Sequence, residues 1–186
     1  GIGFLYIRKG VKIRSFVHGG GQERKRRAGT ENVPGIVGLG AATARALNTM
    51  EERTAKEAKL RDYLIQRVLE EIPYTRLNGH KEMRLPNNAN FSFQFIEGES
   101  LLIMLDMKGI CASSGSACTS GSLDPSHVLL AIGLPHEIAH GSLRLTLSEE
   151  TTKEDIDYVV DSLKEIVANL RKMSPLYEDF LKKNHK

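Results

Sequence analysis

Residues 91–107 read FSFQFIEGESLLIMLDM, and the period of the apolar positions changes partway through. Phe91, Phe93 and Phe95 alternate with Ser92 and Gln94, the two-residue repeat of a strand with one buried face. From Glu99 to Met107 the apolar residues recur at helical spacing instead, which predicts a short amphipathic helix. A strand passing straight into a helix marks a mixed chain, and the flanking sequence agrees. Upstream, Val37, Ala41, Ala44, Leu47, Leu60, Leu64, Val68 and Leu69 predict helix from Gly35 to about Ile72, with Pro34 in the first turn, a bend near Asn48 to Glu52, and Pro73 as the stop. Downstream, Ile110 to Ala112 reads as a brief strand and Val128 to Ile132 as a helix. Ser142 to Leu147 reads as a strand alternating around Arg144. Thr152 to Leu170 is an amphipathic helix with Ile156, Val159, Val160, Leu163, Ile166 and Val167 on its buried side. Near the start, Ile2 to Ile7 and Val11 to Val17 read as a hairpin turning over Arg8 to Gly10. The tail from Met173 is helical and mostly polar. This order implies an α+β layer in which a small sheet is covered by helices on one face.

With 186 residues, 40% hydrophobic and 26% charged, the chain can bury a core of its own. No apolar run is long enough for a bilayer and no secretory leader is visible, so the expected setting is the cytoplasm. A net charge of +3 is too small to argue for nucleic acid, yet Arg24, Lys25, Arg26 and Arg27 form one run, either a solvated loop or a docking patch for an acidic partner. The first residues, GIGFLYIRKG, open inside an apolar run without a starting methionine, as expected of a chain that begins within a longer protein.

Two cysteines are too few for a disulfide framework, so their chemistry has to be weighed singly. Cys118 stands in Ser113-Ser114-Gly115-Ser116-Ala117-Cys118-Thr119-Ser120-Gly121-Ser122, which has almost nothing to fill a core and is read as a loop that leaves the sulfur accessible. Accessibility near N–H dipoles or positive charge is what a nucleophilic thiolate requires. Cys111, between Ile110 and Ala112, is instead expected to be a buried, inert thiol. Arg144 is the one charge in its strand and shares a face with Ser142 and Thr146, so it is preorganised to grip a carboxylate, although an ordinary surface salt bridge would look the same. Gly19, Gly20 and Gly21 lead to Gly29-Thr30, where backbone N–H groups and a hydroxyl suit a phosphate; no Walker or dinucleotide pattern is present. His136-Glu137-Ile138-Ala139-His140 is a literal HExxH, the zinc-hydrolase pattern, but Pro135 and Gly141 confine it to under two helical turns and no third ligand follows at the required spacing.

Four segments together resemble the NifS/IscS-type cysteine desulfurases, of the aminotransferase class-V group. They are Phe4-Leu5-Tyr6-Ile7; His18 to Glu23 with Arg27-Ala28-Gly29-Thr30-Glu31-Asn32-Val33-Pro34; Ser113 to Leu129; and Ala139-His140-Gly141-Ser142-Leu143-Arg144. The resemblance spans nearly the whole chain and identifies it as a C-terminal portion. It implies the small C-terminal domain of the aspartate-aminotransferase-like pyridoxal phosphate fold over residues 49–186, with residues 1–48 a remnant of the large cofactor-binding domain. It implies pyridoxal phosphate as cofactor, Cys118 as the residue that takes sulfur from L-cysteine as a persulfide while alanine is formed, and Cys118 as an optional transient cluster ligand. Arg144 matches the arginine that holds the substrate carboxylate, and Thr30 a threonine that reaches the cofactor phosphate of the partner subunit in a homodimer. The tail Met173-Ser174-Pro175-Leu176-Tyr177 resembles an extension that meets an iron–sulfur scaffold protein. The family's cofactor lysine, with its pyridine-pairing aspartate and ring-stacking histidine, falls before Gly1, so this chain alone is expected to be inactive unless joined by the N-terminal half of the same enzyme, which is a further expected partner. Leu147-Ser148-Glu149-Glu150 departs from the glycine and basic residue usual after the arginine strand. The alternative reading is a non-catalytic sulfur carrier or binding module.

Overall fold

The computed structural model describes residues 1–114 and 125–184, which divide into two compact units, Gly1–Glu51 and Glu52–Lys186. In the first unit the described backbone forms no strand ladder, so the expected hairpin is absent. Only its turn survives, with the Val11 N–H donating to the Arg8 carbonyl at 3.1 Å. Two strands without a third or a covering layer are marginal, and here Phe4, Tyr6 and Phe16 are 79%, 81% and 95% exposed, leaving nothing to hold such a pair. Arg24 and Lys25 of the basic run lie in α1 (Gln22–Lys25), a single turn in which Glu23, Arg24 and Lys25 have φ of 50°, 56° and 65°.

Helix α2 (Val33–Glu71) is continuous through Asn48–Glu52, where a bend was expected. Residues 41–72 contain neither glycine nor proline and are rich in alanine, glutamate, arginine and leucine, so propensity favours propagation over interruption. Asn32 caps its start: its Oδ1 accepts from the Gly35 N–H at 3.1 Å and its carbonyl from the Ile36 N–H at 2.9 Å.

The second unit is built on an antiparallel sheet of β1 (Thr75–Leu77), β2 (Asn88–Phe93) and β3 (Ser142–Thr146), in that spatial order. Ala89, Phe91 and Phe93 of β2 and Leu143 and Leu145 of β3 are buried on one face. Against them pack Leu64, Ile65 and Val68 of α2, Leu101 and Leu105 of α3 (Gly98–Asp106), and Ile156, Val160, Leu163, Ile166 and Val167 of α6 (Lys153–Lys172). This is the small sheet with helices on one face that the alternation required. Helix α6 begins with a reciprocal capping box between Thr152 and Asp155. An ion network ties α2 to α6: Arg67 pairs with Glu71 at 2.5 Å and with Asp157 at 2.8 Å, and Lys164 pairs with Glu71 at 2.7 Å.

Three local expectations differ. Strand β2 stops at Phe93, because Phe95 takes φ 71° and its ring leaves the core to join Tyr74, Tyr177 and Phe180 beside α7 (Pro175–Asn184), with centroids 4.8–5.8 Å from Phe95. Ile110 to Ala112 forms no strand; among the described residues the outer edge of β3 meets the chain only at a bridge between Ser113 and Arg144. Cys111 is exposed rather than buried, since without a ladder its side chain has no sheet face to turn towards. The remaining short helices are α4 (His127–Ala131) and α5 (His136–His140); Leu129 of α4, Ala139 of α5 and Leu134 between them form a small separate cluster.

Candidate functional site

The side of the sheet away from the helices is polar. Asn90 on β2 stands directly opposite Arg144 on β3, Asn88 opposite Thr146, and Ser92 opposite Ser142. Residues opposite one another in an antiparallel pair share a face, with Cβ atoms about 4.5–5.5 Å apart. At one end this face is closed: Ser92 and Ser142 are 0% and 2% exposed. At the other it is open, with Arg144 and Thr146 exposed and Asn88 and Asn90 half-buried.

Two glycines build the closed end. A Cβ on Gly141 would stand 2.1 Å from the Phe93 carbonyl oxygen, and one on Gly98 would stand 2.8 Å from that of His140 and 3.0 Å from that of Ser142. Only residues without a Cβ let the corner between α5 and β3 lie so close to the end of β2 and the start of α3. The Phe93 N–H donates to the Gly141 carbonyl at 2.8 Å, which fixes where β3 begins and so where Arg144 points.

Arg144 is held on both sides by backbone. It pairs with Asn90 across β2, and on its outer edge its N–H donates to the Ser113 carbonyl at 2.6 Å while its carbonyl accepts from the Ser113 N–H at 3.1 Å. Among the described residues its guanidinium has no ion-pair or hydrogen-bond partner, unlike Arg67, which is engaged with three carboxylates. A rigidly mounted, exposed and uncommitted guanidinium on a polar face is a ready carboxylate receptor. Ser113 lies five positions before Cys118 in the sequence. Cys118 itself lies outside the described residues.

Thr30 belongs to the first unit and is exposed; its hydroxyl and backbone N–H have no hydrogen-bond partner among the described residues. Gly29 before it has φ 110° and donates its N–H to Gln22 Oε1 at 3.3 Å. Two unspent donors at one exposed residue fit a phosphate oxygen. The HExxH stretch is the five-residue helix α5, closed by Gly141, with the His136 and His140 rings 6.5 Å apart. Among the described residues no group of three or more histidine, cysteine or acidic side chains could hold a metal ion. Cys111 borders a mostly apolar cleft of about 410 Å³ shared with Leu64, Ile110, Leu147, Ile156 and Tyr158.

The sequence singled out Arg144 but not its neighbours Asn90 and Ser113. Asn90 was legible in principle, because it continues the polar positions Ser92 and Gln94 towards the amino end of the strand. Its place opposite Arg144 depends on a register that only the folded sheet fixes.

A family model described as Aminotransferase class-V matches residues 1–159. Among curated proteins, the chain is 59% identical over 184 residues to "Cysteine desulfurase IscS" of Clostridium botulinum, covering 98% of this chain and 46% of that protein. It is 62% identical over 176 residues to "Cysteine desulfurase IscS" of Methanosarcina thermophila, covering 95% and 43%. Among solved structures, a NifS-like protein superposes with a TM-score of 0.78 at 38% identity, covering 89% of this chain and 42% of that one. A NifS-like protein from Rickettsia africae gives 0.75 at 33% identity, covering 84% and 40%. The chain thus spans less than half the length of the relatives it matches.

Proposed function

The chain belongs to the aminotransferase class-V family, and on that premise we propose that it is the C-terminal part of a cysteine desulfurase that supplies sulfur for iron–sulfur assembly. The observation that carries the reading is Arg144, uncommitted on the open polar face and hydrogen-bonded through its backbone to Ser113, close in sequence to Cys118. Residues 1–48 are then part of the large cofactor-binding domain and residues 49–186 the small domain.

Pyridoxal phosphate, when bound, supplies an electron sink that weakens the carbon–sulfur bond of the substrate. Thr30 would hold its phosphate, from across a homodimer interface, with the two free donors described above. Arg144 binds and orients the α-carboxylate of L-cysteine. The Cys118 thiolate attacks the substrate sulfur: a sulfur–sulfur bond forms, the carbon–sulfur bond breaks, and its electron pair stays on carbon, which gains a proton and leaves as alanine. Cys118 keeps the sulfur as a persulfide, two thiol-level sulfurs having been joined while the carbon is reduced. A thiol of an acidic scaffold protein in the cytoplasm then attacks the outer sulfur, the sulfur–sulfur bond to Cys118 breaks and Cys118 returns to its thiol, with the basic run Arg24–Arg27 and the tail after Met173 as docking elements.

The test uses the full-length enzyme supplied with L-cysteine. Mass spectrometry is expected to find one added sulfur on the peptide bearing Cys118 and none in Cys118→Ser, with alanine released in step. Alanine formed at an undiminished rate by Cys118→Ser would refute the role given to Cys118.

A further inference from the structure

The mechanism above leaves Asn90 unused, although it is the side chain nearest in register to Arg144 on the open face. Behind it lies Asn78, just past β1 and only 3% exposed. The Asn78 Nδ2 donates to Asn90 Oδ1 at 2.7 Å and to Ser92 Oγ at 2.9 Å. Its backbone is pinned as well, the N–H donating to the Asn90 carbonyl at 2.8 Å and its carbonyl accepting from Arg84 Nη2 at 2.9 Å.

Two consequences follow from this wiring. The carboxamide of Asn90 cannot turn freely, because its oxygen is already committed to Asn78, so its Nδ2 is presented as a donor with no partner among the described residues. Asn78 meets that arrangement at a disadvantage to itself, since its own Oδ1 is buried without a hydrogen-bond partner. A buried polar atom left unsatisfied is unfavourable and calls for a reason. Presenting a donor beside Arg144 is such a reason: the amide N–H and the guanidinium meet no acceptor among the described residues, yet both donate to the same kind of group, an anion with several acceptor oxygens.

We propose that Asn90 is a second carboxylate-binding residue: its Nδ2–H donates, alongside the Arg144 guanidinium, to the α-carboxylate of the amino-acid substrate, and Asn78 is the positioning residue that fixes its orientation. The inference rests on the reading of Arg144 as a carboxylate receptor. The amide adds selectivity that a lone arginine lacks, because a carboxylate is met on two sides by fixed donors, while an uncharged amide or ester of the same size offers fewer acceptor lone pairs and no charge. Asn90 is held by β2 and Arg144 by β3, so the width of the receptor is set by the sheet spacing and not by loop motion.

The experiment uses the full-length enzyme and two competitive inhibitors that share a thiol and differ at one end, 3-mercaptopropionate and 3-mercaptopropionamide, neither of which has the amine needed to react with the cofactor. Wild type is expected to prefer the acid. Arg144→Ala and Asn90→Ala should each weaken inhibition by the acid about tenfold, the size expected for loss of a hydrogen bond to a charged group, and leave the amide within about twofold. Asn90→Asp keeps the shape and the acceptor for Asn78 but puts a negative charge beside the bound carboxylate. It should therefore weaken the acid more than Asn90→Ala does, a difference that a purely structural role would not produce. Asn78→Ser should lower the acid-to-amide preference less than Asn90→Ala. If Arg144→Ala removes the preference while both Asn90 variants keep it, Asn90 is not part of the receptor and the role of Arg144 stands. If Arg144→Ala leaves the preference unchanged, the carboxylate reading of Arg144 has failed and this inference fails with it.

Discussion

Replacing Gly141 with alanine tests the corner that aims the Arg144 strand. The new Cβ would stand 2.1 Å from the Phe93 carbonyl oxygen, 3.0 Å from that of Ile96 and 3.2 Å from the Phe93 carbonyl carbon, all backbone atoms of a segment paired into the sheet. Phe93 has to retreat by about 1 Å, and the methyl group behaves as an overpacked core atom, which costs about 1–3 kcal/mol. The same movement stretches the 2.8 Å bond from the Phe93 N–H to the Gly141 carbonyl, worth about 0.5–1.5 kcal/mol net. In the other direction, alanine restricts the unfolded chain by about 0.4–1 kcal/mol, and φ −81° is open to any residue, so no backbone strain is added. The balance is a loss of about 2–3 kcal/mol, a large part of the total stability of a typical domain. At an ordinary urea sensitivity this lowers the unfolding midpoint by about 1 M, read by near-ultraviolet circular dichroism of the Tyr74–Phe95–Tyr177–Phe180 cluster in the same unit. Gly38→Ala in α2 is the control: a Cβ there meets nothing within 4 Å, and removing a mid-helix glycine should leave stability unchanged or raised by up to about 1 kcal/mol. A Gly141→Ala protein as stable as wild type would show that the close approach of α5 to β2 is not what positions β3.

The capping box predicts that Thr152→Ala costs about 1 kcal/mol, seen as a lower urea midpoint with an unchanged slope; no change would mean that the start of α6 is held by its packing alone. The α2–α6 network predicts an acid limb. Hydrogen bonds from Arg67 and Lys164 hold the Glu71 carboxyl down at about 2, and those from Lys153 and Tyr63, with a smaller one from Arg67, hold Asp157 at about 2. With folded values below unfolded ones, this stabilisation is complete above the ordinary carboxylate range, near pH 4–4.5, and is lost as pH falls from there towards 2. Glu71→Gln should flatten that limb in acid denaturation followed by circular dichroism, and an identical limb in the variant would remove Glu71 from the account. Serine at Arg24, Lys25, Arg26 and Arg27, all exposed, should slow association of the full-length enzyme with an acidic scaffold protein and reduce its salt dependence, whereas unchanged affinity and salt slope would mark the run as a solvated turn.

The sequence by itself determined the elements whose signal is periodic and local. Phe91 and Phe93 alternate, Leu143 and Leu145 alternate, and Ile156 to Val167 recur at helical spacing; each pattern is readable because the side chains it places on one face all meet the same core. Arg144 could be named for the same reason, as the polar exception on a patterned strand. The elements read wrongly are those whose fate lies with a partner. Ile2–Ile7 and Val11–Val17 have strand composition but no third strand among the described residues, where Ile110–Ala112 likewise reaches β3 only through Ser113, and Cys111 is therefore exposed despite its apolar neighbours. Phe95 continues the alternation on paper, yet takes φ 71° because the rings of Tyr74, Tyr177 and Phe180 offer it a better place than the end of the sheet. Only the tertiary structure decided that Asn90 faces Arg144, with Asn78 behind it. Strand register is a long-range property: a one-residue slip would turn Asn90 to the other face, and what prevents it is the burial of Phe91 and Phe93 against residues of α2 and α6, such as Leu64, Val68 and Leu163, that lie more than twenty residues away in the chain, as well as against the nearby α3.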